Sequence, residues 1–139
     1  MTGSKYGHYV TGDCVVMGKK GRPIMSTRDL EGFGGGNFSF ECIYITSPKL
    51  MITQSHQHGF DQYLCFCSTN PDDPADFDAE IELSLGEEEE KQIIQSPAVA
   101  YIPAGLDHGP LNFARIGKPV LFVDIAITGK YSRIGDTDD

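Results

Sequence analysis

The sequence predicts an all-β domain built as an antiparallel sandwich or barrel. Its 139 residues include 16 glycines and 8 prolines, a composition that favours many turns over long helices. About eight short segments rich in aromatic and β-branched residues follow one another, with turn residues every ~8–12 positions, which is typical of such folds. The length is that of one domain with room for a hydrophobic core.

The predicted strands are justified in chain order by composition and by the breaks between them. Residues 38–46 (FSFECIYIT) are aromatic and β-branched, and Ser47-Pro48 separates them from residues 49–58. The turn-rich segment TNPDDPADF ends the third strand and predicts a loop, after which AEIELSL alternates cleanly. The predicted strands are residues 38–46, 49–58, 62–68, 79–85, 91–95, 98–102 and 119–128.

The predicted domain organisation is simple, because the chain contains no internal repeat and no linker. Residues 1–139 are expected to form one domain with a barrel core of about 38–128. Residues 1–37 form an N-terminal extension, long enough to add strands or to reach a partner. A short helix is predicted over residues 26–31.

Charge and composition exclude several classes of protein. The net charge of −9 argues against a nucleic-acid partner, because phosphates would be repelled. No apolar run approaches a membrane span, and the N-terminus lacks the apolar core of a signal peptide. A cytoplasmic location is therefore expected. The four cysteines are expected to be free thiols, since C-x-C at residues 65–67 is not a zinc-finger spacing.

The segment HQHGFDQ, residues 56–62, places two histidines two positions apart. Side chains two apart in a strand share a face and lie roughly 6.5–7 Å apart, so the rings of His56 and His58 can converge on one ion. Taken alone, this pair fits a solvated strand as well as it fits a metal site.

A third histidine, His108, follows a Pro/Gly turn in the segment PAGLDHGPLN. Such a turn reverses the chain, so His108 can enter the same cavity from a neighbouring strand. Three imidazoles from two hairpins suit one divalent transition metal ion, without distinguishing Zn, Fe, Mn or Ni. The fourth histidine, His8, lies in the polar N-terminal segment and is expected to be exposed.

Both histidine segments resemble the paired motifs of the cupin superfamily. His56 and His58 match the H-x-H of the first motif. The second motif, P-x-G-x2-H-x3-N, is matched at every spacing by Pro103, Gly105, His108 and Asn112. The resemblance covers roughly residues 38–128 and implies a small antiparallel β-barrel or jelly roll with one metal ion near its centre. It also implies His56, His58 and His108 as metal ligands.

The departure that bears on chemistry is Gln62, which stands where the family motif has a glutamate ligand. A glutamine offers a neutral carbonyl oxygen, so both positive charges of the ion would remain uncompensated. We expect weaker metal affinity, a stronger Lewis acid and a preference for carboxylates or enolates. Alternatively, Gln62 only donates a hydrogen bond nearby and water takes its place. Because the imidazoles must be neutral to bind, occupancy is expected to fall below roughly pH 6.

The residues expected around the ion follow from strand parity. If the parity of the histidines continues past Gly59, Phe60, Leu64 and Phe66 share their face and line a partly apolar pocket, although a bulge at Gly59 would reverse this. Leu64 and Phe66 fit the filling of a small core equally well. Asn112 is expected at the turn or the cavity rim. No catalytic residue is assigned, and Asp107, next to His108, is expected either to orient that ring or to lie exposed.

The sequence leaves three functions open. The first is a small-molecule metalloenzyme with dioxygenase, isomerase or lyase chemistry on a small anionic substrate. The second is a non-catalytic module that binds or senses a small ligand. The third is an interaction protein with a vestigial metal site, which the glutamine at position 62 favours. A homodimer is expected by analogy with small cupins, because exposed sheet edges need cover.

Overall fold

Two antiparallel sheets make up the fold. The computed structural model describes residues 5–18, 21–28, 30, 33–35, 37–128 and 130–134. Besides two single-turn 3-10 helices, Gly7–Tyr9 and Phe33–Gly35, these residues form ten strands. The strands are β1 (Val15–Met17), β2 (Pro23–Ser26), β3 (Ser39–Ile45), β4 (Lys49–Ile52), β5 (Gln62–Ser68), β6 (Ala79–Leu85), β7 (Glu90–Ile94), β8 (Ala98–Ile102), β9 (His108–Ile116) and β10 (Val120–Ala126).

The strand order matches a jelly roll. One sheet has six strands in the order β1-β2-β3-β10-β5-β8, and the other has four in the order β4-β9-β6-β7. All described strand pairs are antiparallel, and most neighbours in space are distant in sequence. The all-β prediction is confirmed. The two sheets are not closed into one barrel among the described residues, so the jelly-roll form of the prediction is the accurate one.

The core lies between the sheets and is centred on three aromatic rings. Phe66 and Phe122 come from the six-stranded sheet and Phe113 from the four-stranded sheet, with ring centroids 5.3–6.1 Å apart. Strand alternation produces this arrangement, because residues two apart face the same side. In β5, for example, Gln62, Leu64 and Phe66 are buried, at 2%, 4% and 1% exposure.

Several predicted strands are close to the observed ones. The predicted bounds 62–68, 79–85 and 98–102 coincide with β5, β6 and β8. The strand predicted over residues 49–58 ends at Ile52, and His56 beyond it forms only an isolated bridge. Strand β9 was not predicted, because proline and glycine in its first part resemble a turn.

The N-terminal extension adds to the six-stranded sheet. Strand β2 pairs with β3 and β1 pairs with β2, so part of residues 1–37 belongs to the sheet. The helix predicted over residues 26–31 is wrong at its start, since Ser26 ends β2, while Asp29 and Glu31 lie outside the described residues. The assignment of residues 1–139 to one domain stays a prediction. No helix in the described ranges is long and apolar enough to cross a membrane.

Candidate metal centre

Three histidine side chains meet between the two sheets. The ring centroids of His56 and His108 are 4.2 Å apart, and that of His58 lies 4.9 and 5.0 Å from them. Each ring offers one nitrogen such that the three nitrogens lie within 4.8 Å of one another. His58 and His108 are buried, at 2% and 4% exposure. The rings therefore face a common interior point.

Backbone pairing brings the two histidine segments together. The amide of His56 donates to the carbonyl of His108, and the amide of His108 donates back to His56, both at 2.9 Å. Gly109 makes this approach possible, because a Cβ there would lie 2.8 Å from the carbonyl oxygen of Gln54. Its φ of 103° also lies in the region that favours glycine. This close backbone approach is what sets His108 beside His56.

Backbone carbonyls fix the tautomer of all three rings. The Nδ1 atoms of His56, His58 and His108 lie 3.3, 2.6 and 3.1 Å from the carbonyl oxygens of Gln54, Ser132 and Leu106. A carbonyl only accepts, so each Nδ1 carries the proton and donates it. Each Nε2 then keeps its lone pair, the form that binds a metal. The donor set therefore fits a divalent transition metal ion.

Burial keeps the imidazoles neutral. The pKa of His56 is lowered to about 4, first by burial and then by the charge of the neighbouring His108. The pKa of His108 is also lowered, first by burial. Desolvation disfavours the imidazolium, so both rings are held in the state that ligates a metal. The sequence predicted that metal occupancy falls below roughly pH 6. With these lowered pKa values, we expect that loss at a lower pH.

Gln62 presents its carbonyl oxygen rather than its amide nitrogen to the interior. Its Nε2 donates to Oδ1 of Asp124 at 2.6 Å. Since a carboxylate only accepts, this fixes the orientation of the amide. Its Oε1 is buried and has no hydrogen-bond partner within the described ranges. A buried carbonyl oxygen without a partner is costly, and a metal ion nearby would remove that cost.

A carboxylate lies directly behind this amide. The other oxygen of Asp124 pairs with Arg28 at 2.9 Å, and Arg28 also pairs with Glu41 at 2.8 Å. These three charges sum to one negative charge. A net negative charge thus lies one hydrogen bond behind the amide of Gln62.

The segment that follows β10 closes over the histidines. The hydroxyl of Tyr131 lies 3.0 Å from Nε2 of His58, while the carbonyl of Ser132 accepts from Nδ1 of the same ring. The amide of Ile134 donates to the carbonyl of Gln57 at 2.9 Å. Arg28 stacks on the Tyr131 ring, 3.6 Å from its centroid. Three kinds of contact thus hold this segment at the site.

A cavity that opens to solvent lies beside the histidines, with about 330 Å³ of free space when the open solvent at its mouth is included. It has one polar end and a larger apolar wall. The polar end consists of His56, His108, Gln62, Asp124 and Tyr131. The wall is formed by Met51, Ile52, Leu64, Leu83, Gly109, Leu111 and Phe122.

The four residues predicted for the pocket occupy different places. Leu64 lines the cavity, and Phe60 stacks on His58 with ring centroids 4.8 Å apart. Phe66 packs in the core against Phe113 and Phe122. Asn112 lies on β9 between the buried neighbours 111 and 113 and donates to Glu82 at 3.2 Å.

The remaining sequence candidates lie away from the ion position. Asp107 accepts from Gln57 at 2.6 Å, whereas the His108 ring donates to Leu106 instead. His8 is exposed, as expected.

The sequence analysis did not identify Asp124, Arg28, Tyr131 or Ser132 as parts of the site. One signal was available for Asp124, which is the single charge in the apolar run PVLFVDIAIT. A charge on the inward face of a buried strand requires a partner and points to a functional site. Tyr131 and Ser132 carry no comparable signal, because only tertiary packing brings them to His58.

Comparisons with known proteins bear on the fold. No family model and no curated protein matches the sequence. Among solved structures, the chain is similar to a deletion mutant of Bacillus subtilis oxalate decarboxylase, with a TM-score of 0.52 and 14% identity, over 85% of this chain and 28% of that one. It is also similar to a sugar phosphate isomerase from a cupin superfamily, from Silicibacter pomeroyi, with a TM-score of 0.51 and 14% identity, over 78% of this chain and 60% of that one. The chain thus spans less than two thirds of either protein.

Proposed function

Starting from the cupin fold of this chain, we propose that it binds one divalent transition metal ion and a small molecule. More specifically, we propose that it is a metalloenzyme that acts on this small molecule. His56, His58 and His108 would hold the ion through Nε2, with the carbonyl oxygen of Gln62 as a further ligand. The observation that carries this proposal is the convergence of three imidazoles whose Nδ1 atoms are all bound to backbone carbonyls.

The charge around this ligand set supports an anionic substrate. The four proposed ligands are neutral, so the positive charge of the ion would be left to further, anionic ligands. Arg133 adds to this field, since its positive charge lowers the pKa of His56 and of His108. Its Nε is buried without a hydrogen-bond partner in the part of the chain that is described. A carboxylate or enolate would be attracted by both positive charges.

The cavity wall supports a substrate with an apolar part. Met51, Ile52, Leu83 and Leu111 line the same cavity as His56 and His108. Burying apolar substrate surface there contributes roughly 25 cal/mol per Å². The proposed substrate is therefore a small molecule with an anionic oxygen group at one end and a short apolar body at the other.

The class of reaction follows from what the site can stabilise. A bound ion of this kind would polarise an oxygen atom of the substrate and stabilise negative charge that develops on it. Dioxygenase, isomerase and lyase reactions all use such stabilisation. The chain's own residues would attract the anionic group through the positive charge of Arg133, orient the apolar body and exclude water from the polar end.

A non-catalytic ligand-binding module is the second proposal, and one observation favours it. Asp124 and Tyr131 are the carboxyl and phenol groups in the cavity lining. Asp124 is held by Gln62 and Arg28, and Tyr131 donates to His58. Groups held in this way are poor general bases. Metal and pocket could then bind a ligand without turnover.

Metal analysis of the purified protein tests the site. We expect about one equivalent of divalent metal in the wild-type protein. We expect His56→Ala to lose most of this metal, because one of the three imidazoles is gone. His8→Ala is the matched control, since His8 is exposed and should leave the metal content unchanged. Equal metal content in wild type and His56→Ala would overturn the proposal. Small carboxylates and enols added to the metal-loaded protein then separate turnover from binding.

The expected homodimer is also a proposal, supported by the outer face of the six-stranded sheet. Register pairing puts side chains of β3, β10, β5 and β8 that point away from the core on one surface. This outer sheet face consists of Phe40, Cys42, Tyr44, Tyr63, Cys65, Cys67, Val99, Tyr101, Leu121, Val123 and Ile125.

These eleven side chains are uncharged, in a chain of net charge −9. Large exposed apolar patches mark interaction sites. A second copy of the chain is the proposed occupant, because two uncharged faces can meet without bringing the acidic surfaces together. The cysteines are free, which suits a reducing compartment, and a cytoplasmic location belongs to the same proposal.

A further inference from the structure

The phenol of Tyr131 lies beside the proposed metal ligands. Its oxygen is 3.0 Å from Nε2 of His58 and lines the same cavity as His56, His108 and Gln62. Two donor atoms bound at about 2.1 Å to one ion, at angles between a right angle and the tetrahedral angle, are ~3.0–3.4 Å apart. The spacing between this oxygen and this nitrogen is therefore that of neighbouring ligands.

The Tyr131 ring is held in place from several sides. Arg28 stacks on it at 3.6 Å, and the rings of His58 and Phe60 have centroids 4.7 and 5.4 Å away. The backbone on its C-terminal side is fixed, because the carbonyl of Ser132 accepts from His58. A side chain held in this way is preorganised for its position rather than moving freely above the cavity.

Tyr131 could also provide a negative charge, which the other proposed ligands do not carry. The other proposed ligands, three imidazoles and one amide, are neutral, and Asp124 is one hydrogen bond away from the ion position. We propose that the Tyr131 oxygen is an anionic metal ligand of this site and supplies the charge that Gln62 lacks. The inference rests on the proposed function, since it requires a metal ion on the three histidines.

Binding of Tyr131 as a phenolate would require only the loss of its proton. The phenol O–H bond breaks, the oxygen–metal bond forms with the electron pair left on oxygen, and the proton passes to solvent. The lone pair of His58 Nε2, which accepts that hydrogen bond in the structure, becomes available to the same ion. No oxidant or reductant is required.

Ferric iron provides a direct test, because a phenolate bound to Fe³⁺ produces a visible charge-transfer absorption band that imidazole and amide ligands do not produce. The purified apo-protein is loaded with Fe³⁺, and bound iron is measured by metal analysis. We expect the band in the wild-type protein and its loss in Tyr131→Phe. We also expect Tyr131→Phe to weaken Zn²⁺ binding at least tenfold in a calorimetric titration.

Tyr63→Phe is the matched control. Tyr63 lies on the outer sheet face, with its ring centroid 5.2 Å from that of Tyr101, and its loss should leave the band intact. Thermal unfolding verifies that each variant is folded. Stoichiometric iron without a band, or a band that persists in Tyr131→Phe, overturns the Tyr131 assignment alone. An increase of Zn²⁺ affinity in Tyr131→Phe also overturns it, since the phenol would then compete with the metal. Failure of every form to bind metal instead overturns the proposed function.

Discussion

At the scale of single residues, the hydrogen bond between Gln62 and Asp124 controls the electrostatics of the site. The amide nitrogen points to the carboxylate, so the carbonyl oxygen is left for the interior. A carboxylate at position 62 should therefore strengthen metal binding but lower the stability of the metal-free protein.

We expect Gln62→Glu to tighten Zn²⁺ binding about tenfold, or about 1.4 kcal/mol, because a carboxylate adds negative charge beside the ion. Without metal the same carboxylate faces Asp124 and lowers the free energy of unfolding through like-charge repulsion. Calorimetric titration measures the affinity, and thermal unfolding with and without Zn²⁺ measures the stability.

The double variant Gln62→Glu/Asp124→Asn is the control for that substitution. It keeps one carboxylate and restores a donor–acceptor pair, so the stability of the metal-free protein should recover. If Gln62→Glu binds Zn²⁺ no more tightly than the wild type, the oxygen of Gln62 is not a metal ligand.

The sequence identified the histidines of the site but not the residues that support them. His56, His58 and His108 are recognisable because their spacing along the chain reflects the geometry needed to bind one ion. Asp124 and Tyr131 act through contacts with residues far away in the sequence, His58 being 73 positions from Tyr131. Spacing carries no information on such contacts, so they required coordinates.

At the scale of elements, the sequence predicted the alternating burial of β5 but not the irregular course of the segment before it. The burial of Gln62, Leu64 and Phe66 follows from the two-residue period of a strand. His56 and His58, by contrast, lie in an irregular segment held by a bridge to β9. Their common orientation comes from the backbone pairing with His108, which strand parity alone does not describe.

The outer sheet face leads to a prediction about assembly. We expect the wild-type protein to be a dimer of the 15.2 kDa chain, and Val99→Glu to be a monomer, because it places a charge on a residue that is 65% exposed in this face. Sedimentation velocity measures both masses. Ile93→Glu is the control, since Ile93 is 50% exposed on β7 of the other sheet and should remain dimeric. A dimeric Val99→Glu would rule out this face as the interface.

At the scale of the whole molecule, the buried histidines couple stability to pH. The pKa of His56 is about 4 in the folded chain against an ordinary value of 6.5, and that of His108 is lowered as well. Between pH 6.5 and pH 4 the unfolded chain binds protons at these positions that the folded chain does not bind. The free energy of unfolding of the metal-free protein should therefore fall as the pH falls through this window.

The same shift extends metal binding to lower pH. We expect Zn²⁺ affinity to weaken at a lower pH than it would for imidazoles with the ordinary pKa of 6.5, because protons compete poorly for imidazoles with lowered pKa values. Calorimetric titrations across the same pH window, together with urea unfolding of the metal-free protein, provide the check. A loss of binding centred on pH 6.5 would contradict the burial of these rings.

The overall architecture was predictable because turn residues divide the chain into strand-length pieces, which leaves few folds to consider. The N-terminal strands β1 and β2 were harder, being short at three and four residues. Strands of that length are stabilised by pairing with a neighbour rather than by their own composition.

The packing of residues 131–134 over the histidines ties the site to the completed fold. The ring of His58 is oriented by the carbonyl of Ser132, 74 positions later. The three imidazoles are therefore preorganised for the proposed ion only once this segment has packed against them, and such an ion would favour the fully folded chain over partly folded forms.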